Sequence, residues 1–318
     1  MFFAHETAFR VLNVPYPAET QGPSIPKRIT RLMNMGRSIM IVIVVAMAMT
    51  RPAKAAGPSS EIFAMDNGVG RDIWSPERQA STLSEIGFDG ISYDYTNPAD
   101  LKAWLAELGK RKLKLYGLYF GVQLRGEKPL PDGIEEAVQI LRGTDAVLWV
   151  TIASPEGPGD YEAQAVKRIQ EVADLAASTH LRVVLYPHFK LYVATAEHAF
   201  DLAMRSGRAN VGVTFNLCHE LAAGNGRRVP DIIRRVAPSL AMVTINGASD
   251  RPGPGWDNFI KRLGDGDYDV ARVLKALADV DYLGPVGIQF YGLKGDPRET
   301  LESTIHVWRT LTATAGAR

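Results

Sequence analysis

Cysteine is almost missing: 318 residues contain one, Cys218. A lone thiol cannot close an intramolecular disulfide, so stability must come from a core, and in an oxidising compartment such a thiol is best kept buried. An excess of one charge is missing too. Lys and Arg number 36 against 35 Asp and Glu, a formal net charge of +1, and no stretch forms the basic stripe of a nucleic-acid binder. No Gly-x-Gly-x-x-Gly follows the first strand-like run, which argues against a dinucleotide-binding open sheet. With 46% hydrophobic and 22% charged residues, the composition is that of a globular chain with a large core.

Long apolar runs are absent with one exception. Ile39 to Met49 reads Ile-Met-Ile-Val-Ile-Val-Val-Ala-Met-Ala-Met, behind Arg37 and ahead of Ala53-Lys-Ala55. A basic flank, an apolar stretch and a small-x-small site together read as a secretory signal cleaved near Ala55. The run is short for a membrane span of roughly 20 residues; an uncleaved N-terminal anchor is the rival. Met33 or Met35 would give that signal an ordinary length. The expectation is a leader and signal over residues 1–55, bacterial-type export to a periplasmic or secreted location, and a mature domain over 56–318. That domain carries 29 basic and 33 acidic residues, a net of −4. No membrane contact beyond the signal segment is expected.

From Glu61 onward apolar runs alternate with amphipathic stretches. Strands are expected at 61–66, 88–94, 113–120, 146–152, 181–186, 211–215, 240–245 and 285–290. Each is followed by a helix: 76–86 (opened by Ser75-Pro76, an N-cap and first-turn proline), 98–109, 133–141, 161–178, 195–206, 230–236, 269–278 and 297–311. Eight strand–helix units in about 260 residues predict a single (β/α)8 TIM barrel, and the continuously apolar strands suit parallel strands covered by helices. Asp265, Asp267 and Asp269 alternate as in a calcium loop. The position needing a bidentate Glu is Ala276, however, so a turn with Asp269 capping the next helix is favoured.

In such a barrel the site lies at the C-terminal strand ends, where this chain has Asp66, Asp94, Tyr119, Ser154, Tyr186 with His188, Asn216 with His219, Thr244 with Asn246, and Gln289 with Tyr291. Four segments carry a resemblance: Leu185-Tyr-Pro-His188, Phe215-Asn-Leu-Cys-His-Glu220, Val243-Thr-Ile-Asn246 and Gly284-Pro-Val-Gly-Ile-Gln289. They resemble the strand ends of the xylose isomerase-like TIM barrels, which include sugar phosphate isomerases/epimerases, ketose 3-epimerases, hydroxypyruvate isomerase and inosose dehydratase. Leu263-Gly-Asp-Gly-Asp-Tyr-Asp269 and Gln289-Phe-Tyr-Gly292 look like further segments of that group. The resemblance implies a divalent ion held by Glu, Asp, His and Glu after strands five to eight. At those positions this chain has Tyr186, Asn216, Thr244 and Gln289. Divalent ions of this kind need anionic oxygens, which two amides, a hydroxyl and a phenol do not supply. The glutamates that the resemblance assigns to proton transfer are lost as well.

The replacements stay polar, which suggests a retained pocket with altered chemistry. His188 and His219 are then the candidate catalytic residues, imidazoles being suited to acid/base work near neutral pH; for each, a structural role is the alternative. The expected substrate-binding residues are Asp66, Asp94, Tyr186, Asn216, Thr244, Asn246 and Gln289, with Trp74 and Trp256 as rings for stacking on a sugar. His180, His198 and His306 read as outer-face residues. The leading expectation is an exported sugar isomerase/epimerase-like enzyme, or related lyase or hydratase, acting by proton transfer next to a carbonyl on a sugar or keto-sugar. The alternatives are a non-catalytic carbohydrate-binding barrel and a metal enzyme with an unusual set (His188, His219, and Glu220 or Asp66). No cofactor is expected under the first two, and the partner is a small-molecule carbohydrate, not nucleic acid.

Overall fold

The computed structural model describes residues 61–316 apart from 127, 155, 156, 158, 251, 252 and 254; the leader and signal expected over 1–55 lie outside the described residues. Eight parallel strands close into a barrel in chain order: β1 Ile62–Met65, β2 Gly90–Asp94, β3 Lys114–Val122, β4 Val147–Ile152, β5 Arg182–Leu185, β6 Val211–Asn216, β7 Leu240–Ile245 and β8 Val286–Ile288. Helices α1 Pro76–Ile86, α2 Pro98–Lys110, α3 Ile134–Ile140, α4 Glu162–Ala177, α5 Ala196–Ser206, α7 Val229–Val236, α9 Ala271–Ala278 and α10 Pro297–Gly316 follow successive strands. This is the (β/α)8 barrel that the alternation predicts.

Local chemistry explains where the elements begin. Ser75 Oγ accepts from the Arg78 N–H at 3.3 Å, with Pro76 in the first turn, and Asn97 Oδ1 accepts from Asp100 at 3.0 Å. Both satisfy an amide that a helix start leaves unpaired. Asp269 Oδ1 likewise accepts from the Ala271 N–H at the start of α9. In α7, buried Val229, Ile232, Ile233 and Val236 fall at the spacing of a single helix face.

Side chains alternate across the strands into two apolar layers. One lies between strands and helices; the other fills the barrel with Phe63, Tyr116, Trp149, Tyr186, Met242 and their neighbours. Inside, Phe63 stacks on Tyr116 at 4.9 Å, Trp149 meets Tyr186 edge-on at 4.7 Å, and Trp149 Nε1 donates to Thr214 Oγ1 at 2.6 Å. Phe63 fits because β8 offers Gly287 there; a Cβ would overlap its ring. At the N-terminal end Tyr116 donates to Glu61, which also pairs with Lys114 at 2.6 Å. The interior is thus filled from below, and a cavity remains at the other end.

Two short helices, α6 Leu217–Ala222 and α8 Trp256–Phe259, occupy stretches expected to be loops. Neither is long enough for apolar periodicity to show. Both position the site.

Candidate functional site

The cavity at the C-terminal end of the barrel has a volume of about 270 Å³, with Tyr186 and Gln289 among its lining, His188, His219 and Trp256 on one side, and Asp66, Arg71 and Asp94 on the other. Its centre is a pair of histidine rings. His188 lies just past β5, where Pro187, lacking an N–H, ends the ladder. His219 reaches the cavity because α6 starts directly after β6, putting it in the first helical turn. The ring centroids are 4.1 Å apart.

One residue, Phe189, sets the proton positions on both rings. Its carbonyl oxygen lies 2.8 Å from His188 Nδ1, and its N–H donates to His219 Nδ1 at 3.1 Å. A carbonyl can only accept and an amide N–H can only donate. His188 Nδ1 therefore carries the proton and leaves Nε2 as a lone pair, while His219 Nδ1 is the lone pair and Nε2 carries the proton. The cavity is offered one acceptor and one donor. Burial pushes the His188 pKa below its ordinary value, against the opposing bond to Phe189. Burial, and then the neighbouring His188, push that of His219 far lower. Both rings are held neutral near pH 7.

Trp256 stands over the pair, 5.2 Å from His219 and 6.3 Å from His188 between ring centroids. It is carried on a strap after β7 whose ends pair in antiparallel fashion at Gly247 and Lys261. Asn246 Nδ2 donates to the Gly247 and Phe259 carbonyls, both at 2.7 Å. Asn246 is fully buried, so it fixes the strap instead of facing a ligand.

At the base, Tyr186 is 2% exposed and burial raises its phenol pKa far above 10, so it stays protonated. Gln289 Nε2 donates to the Tyr186 oxygen at 3.4 Å. Gln289 Oε1 is already occupied by Asn67 Nδ2 at 2.7 Å and the Phe290 and Tyr291 N–H groups at 2.9 Å. Asn216 and Thr244, register partners on β6 and β7, have no solvent exposure and do not line the cavity. Asn216 Oδ1 accepts from Cys218 Sγ at 3.2 Å. Its Nδ2 approaches the Tyr186 hydroxyl without hydrogen-bond geometry and, like Thr244 Oγ1, has no partner.

On the opposite side Asp66 forms an ion pair with Arg71, whose Nη1 reaches Asp94 Oδ2 at 3.2 Å. Asp66 Oδ2 accepts from the Asp94 N–H at 2.9 Å. Burial raises both carboxyl pKa values, with Asp66 adding to the rise at Asp94 and Arg71 opposing it at both. Tyr119 also lines the cavity, and burial pushes its pKa up to about 12.

Of the side chains expected at the site, the cavity brings together Asp66, Asp94, Tyr186, His188, His219, Trp256 and Gln289. Asn216, Thr244 and Asn246 are buried behind it. Trp74 is elsewhere: its ring sits against Gly70 and under the Arg78 guanidinium at 4.5 Å, an anchor for its own loop. His180, His198 and His306 do not line the cavity; His198 bonds Glu162 at 3.0 Å. Sequence reasoning missed Arg71 and Asn67, which lie in the turn just past β1, a place strand-tip reading does not reach.

The positions implied for a divalent ion do not fit one. A protonated phenol, a saturated amide and two buried neutral groups offer no anionic oxygen. The unusual set is not assembled either. Glu220 points away, accepting from the Ala196 N–H at 2.6 Å and from Asn225 at 2.7 Å, and Asp66 is paired with Arg71. Among the described residues no three His, Cys, Asp or Glu side chains are grouped to hold a metal ion.

Several solved structures share the architecture. The apo 3-keto-D-glucoside 4-epimerase YcjR from E. coli superposes with a TM-score of 0.66 at 16% identity, covering 79% of this chain and 99% of that one. A D-allulose 3-epimerase from Methylomonas sp. gives 0.64 at 18% identity, covering 80% and 99%. At these identities the likeness is one of fold. An uncharacterized protein of Methanocaldococcus jannaschii is 20% identical over 266 residues, 76% of this chain and 89% of the relative. The sequence model of the xylose isomerase-like TIM barrel matches residues 80–311, and with the closed eight-stranded barrel around this cavity it places the chain in that family.

Proposed function

We propose that the protein is a sugar isomerase/epimerase-like enzyme that moves a proton next to a carbonyl on a sugar or keto-sugar, with no charged group of the usual ligand set taking part. The main support is the histidine pair fixed in opposite tautomers by Phe189. His188 Nε2 takes the proton from the carbon beside the carbonyl; the C–H electron pair becomes the double bond of an enediolate. His219 Nε2–H donates to the oxygen on which charge develops, and the Tyr186 hydroxyl is a second neutral donor at the base. Return of the proton from His188 to the opposite face of the same carbon, after the enediolate has turned in the pocket, gives an epimer; return to the neighbouring carbon, with that carbon's hydroxyl proton passing to the former carbonyl oxygen, gives an isomer. Two neutral donors replace an ion that would supply several kcal/mol of charge stabilisation, which favours a substrate already bearing a keto group. The E. coli and Methylomonas structures named above are sugar epimerases, and that agrees with the reading. Export is part of the same proposal and rests on residues 37–55.

A non-catalytic sugar-binding barrel is the second reading, favoured by the saturation of Gln289 Oε1. Incubating the chain with D-fructose, D-tagatose and D-allulose in D2O separates the two. Loss of the proton signal beside the carbonyl, abolished by His188→Ala, supports the enzyme. Thermal stabilisation by a sugar without exchange supports the binder, and neither effect with any sugar sinks both.

A further inference from the structure

Arg71 decides what the far wall of the cavity can accept. Its guanidinium lies between two carboxylates, one Nη on Asp66 Oδ1 and the other on Asp94 Oδ2. Asp66 is fully engaged: it is buried, and its second oxygen holds the Asp94 N–H. Asp94 is engaged on one side. Its side chain is 45% exposed, and Oδ1 has no partner among the described residues. These three are the charged side chains of the lining, since both histidines are neutral. One cation between two anions leaves a surplus negative charge on this wall of the cavity, and Asp94 Oδ1 is the carboxylate oxygen left unpaired.

Resting on the sugar-site reading above, we propose that Asp94, held in place by Arg71, determines the specificity of this site: it selects a sugar with free hydroxyls there and refuses a sugar acid or phosphate. The free carboxylate oxygen accepts from one ligand hydroxyl, and the unused N–H groups of Arg71 donate to the adjacent oxygen. A carboxylate can only accept, so a hydroxyl is a partner and a second anion is not. An anionic ligand group at this spot meets the Asp94 charge at close range in a half-buried wall, where water screens weakly. The guanidinium that would offset this is already shared by two aspartates. A cavity of about 270 Å³ lies just below the range of typical ligand sites, roughly 300 to 1,000 Å³, so it suits one sugar ring.

The test uses ligand pairs that differ only at C6: D-fructose with D-fructuronate, and D-tagatose with D-tagaturonate. Affinities are measured by calorimetry at pH 7 for the wild type, Asp94→Asn and Arg71→Gln. The wild type should favour the neutral member at least tenfold. Asp94→Asn keeps an acceptor for Arg71 but removes the surplus charge, so the preference should shrink about tenfold. Arg71→Gln leaves two carboxylates without a cation and should widen it, and unliganded melting curves show that both variants are folded. Equal or tighter binding of the acids by the wild type overturns the role of Asp94, as does a ratio that neither variant moves. Exchange of neutral sugars alongside such a result leaves the enzyme reading standing; no binding of either member together with no exchange removes that reading and this one.

Discussion

His219 has two jobs on two nitrogens, and two substitutions separate them. Nδ1 accepts the Phe189 N–H, and Nε2–H is left for the ligand. Asparagine is short and can offer Oδ1 where Nδ1 was, but it places no donor at Nε2. Glutamine reaches the Nε2 position with its own N–H and leaves Phe189 unpaired. His219→Asn should therefore melt near the wild type while losing a donor to the developing oxyanion, a loss of roughly 10²–10³ in turnover. His219→Gln should keep most of its turnover but leave a partly buried N–H without a partner, a cost of about 1–2 kcal/mol. For a domain of this size that is a drop of roughly 2–8 °C in melting temperature. The assay is solvent deuterium exchange on a keto-sugar, read by NMR beside thermal melts. Wild-type exchange by His219→Asn would mean that the ring is only a brace for the β5 loop, and the donor–acceptor assignment would fail.

Acidification should weaken the fold through the same two rings. Both have pKa values depressed by burial, so below about pH 6.5 the unfolded chain binds protons that the folded one refuses. Stability is full above that value and falls as pH drops toward the folded values; urea titrations from pH 8 to 5 should show the decline, and a rise would contradict it. The same depression keeps His188 an active base below pH 6.5, so the acid limb of kcat/KM should lie lower than for a free imidazole. Gly247→Ala drives a Cβ into the Arg262 and Asp265 carbonyls. It should cost about 1–3 kcal/mol and raise KM by displacing the Trp256 strap, and wild-type kinetics would argue against that strap's role. Exhaustive chelation should change neither melting temperature nor exchange rate, because Tyr186, Asn216, Thr244 and Gln289 supply no anionic oxygen and Asp66 and Asp94 are paired with Arg71; loss of either would reverse the view of those four positions.

The fold was legible in the sequence because parallel strands buried on both faces are continuous apolar runs, and each is followed by a helix, three of which open on a capping side chain, Ser75, Asn97 or Thr195. β7 and α1 have their expected bounds, 240–245 and 76–86. Legibility failed where an element was too short to repeat. Six residues of α6 and four of α8 show no period, yet the first lifts His219 into the cavity and the second holds Trp256 above it. Arg71 was invisible for another reason: its place at the site comes from a turn that folds back toward β2, and nothing in the local pattern reports that return.

Polarity at a strand tip says which face a residue occupies but not how deep it lies. Tyr186, Asn216, Thr244 and Gln289 all point into the barrel, and from the sequence they form one ring of equals. A phenol is much longer than a carboxylate, however, and Tyr186 reaches across to Gln289 and against the edge of Trp149. Asn216 and Thr244 are fully buried outside the cavity lining, with Asn216 Nδ2 and Thr244 Oγ1 unpaired, and the working surface includes the histidines instead. The ring of four is thus split in two: Tyr186 and Gln289 line the cavity, and Asn216 and Thr244 form a buried layer outside its lining. Shortening Tyr186 to Ala should reopen that layer, and a crystal structure of the variant with electron density over Asn216 and Thr244 would show it; an unchanged, closed interior would mean that something other than the phenol seals them.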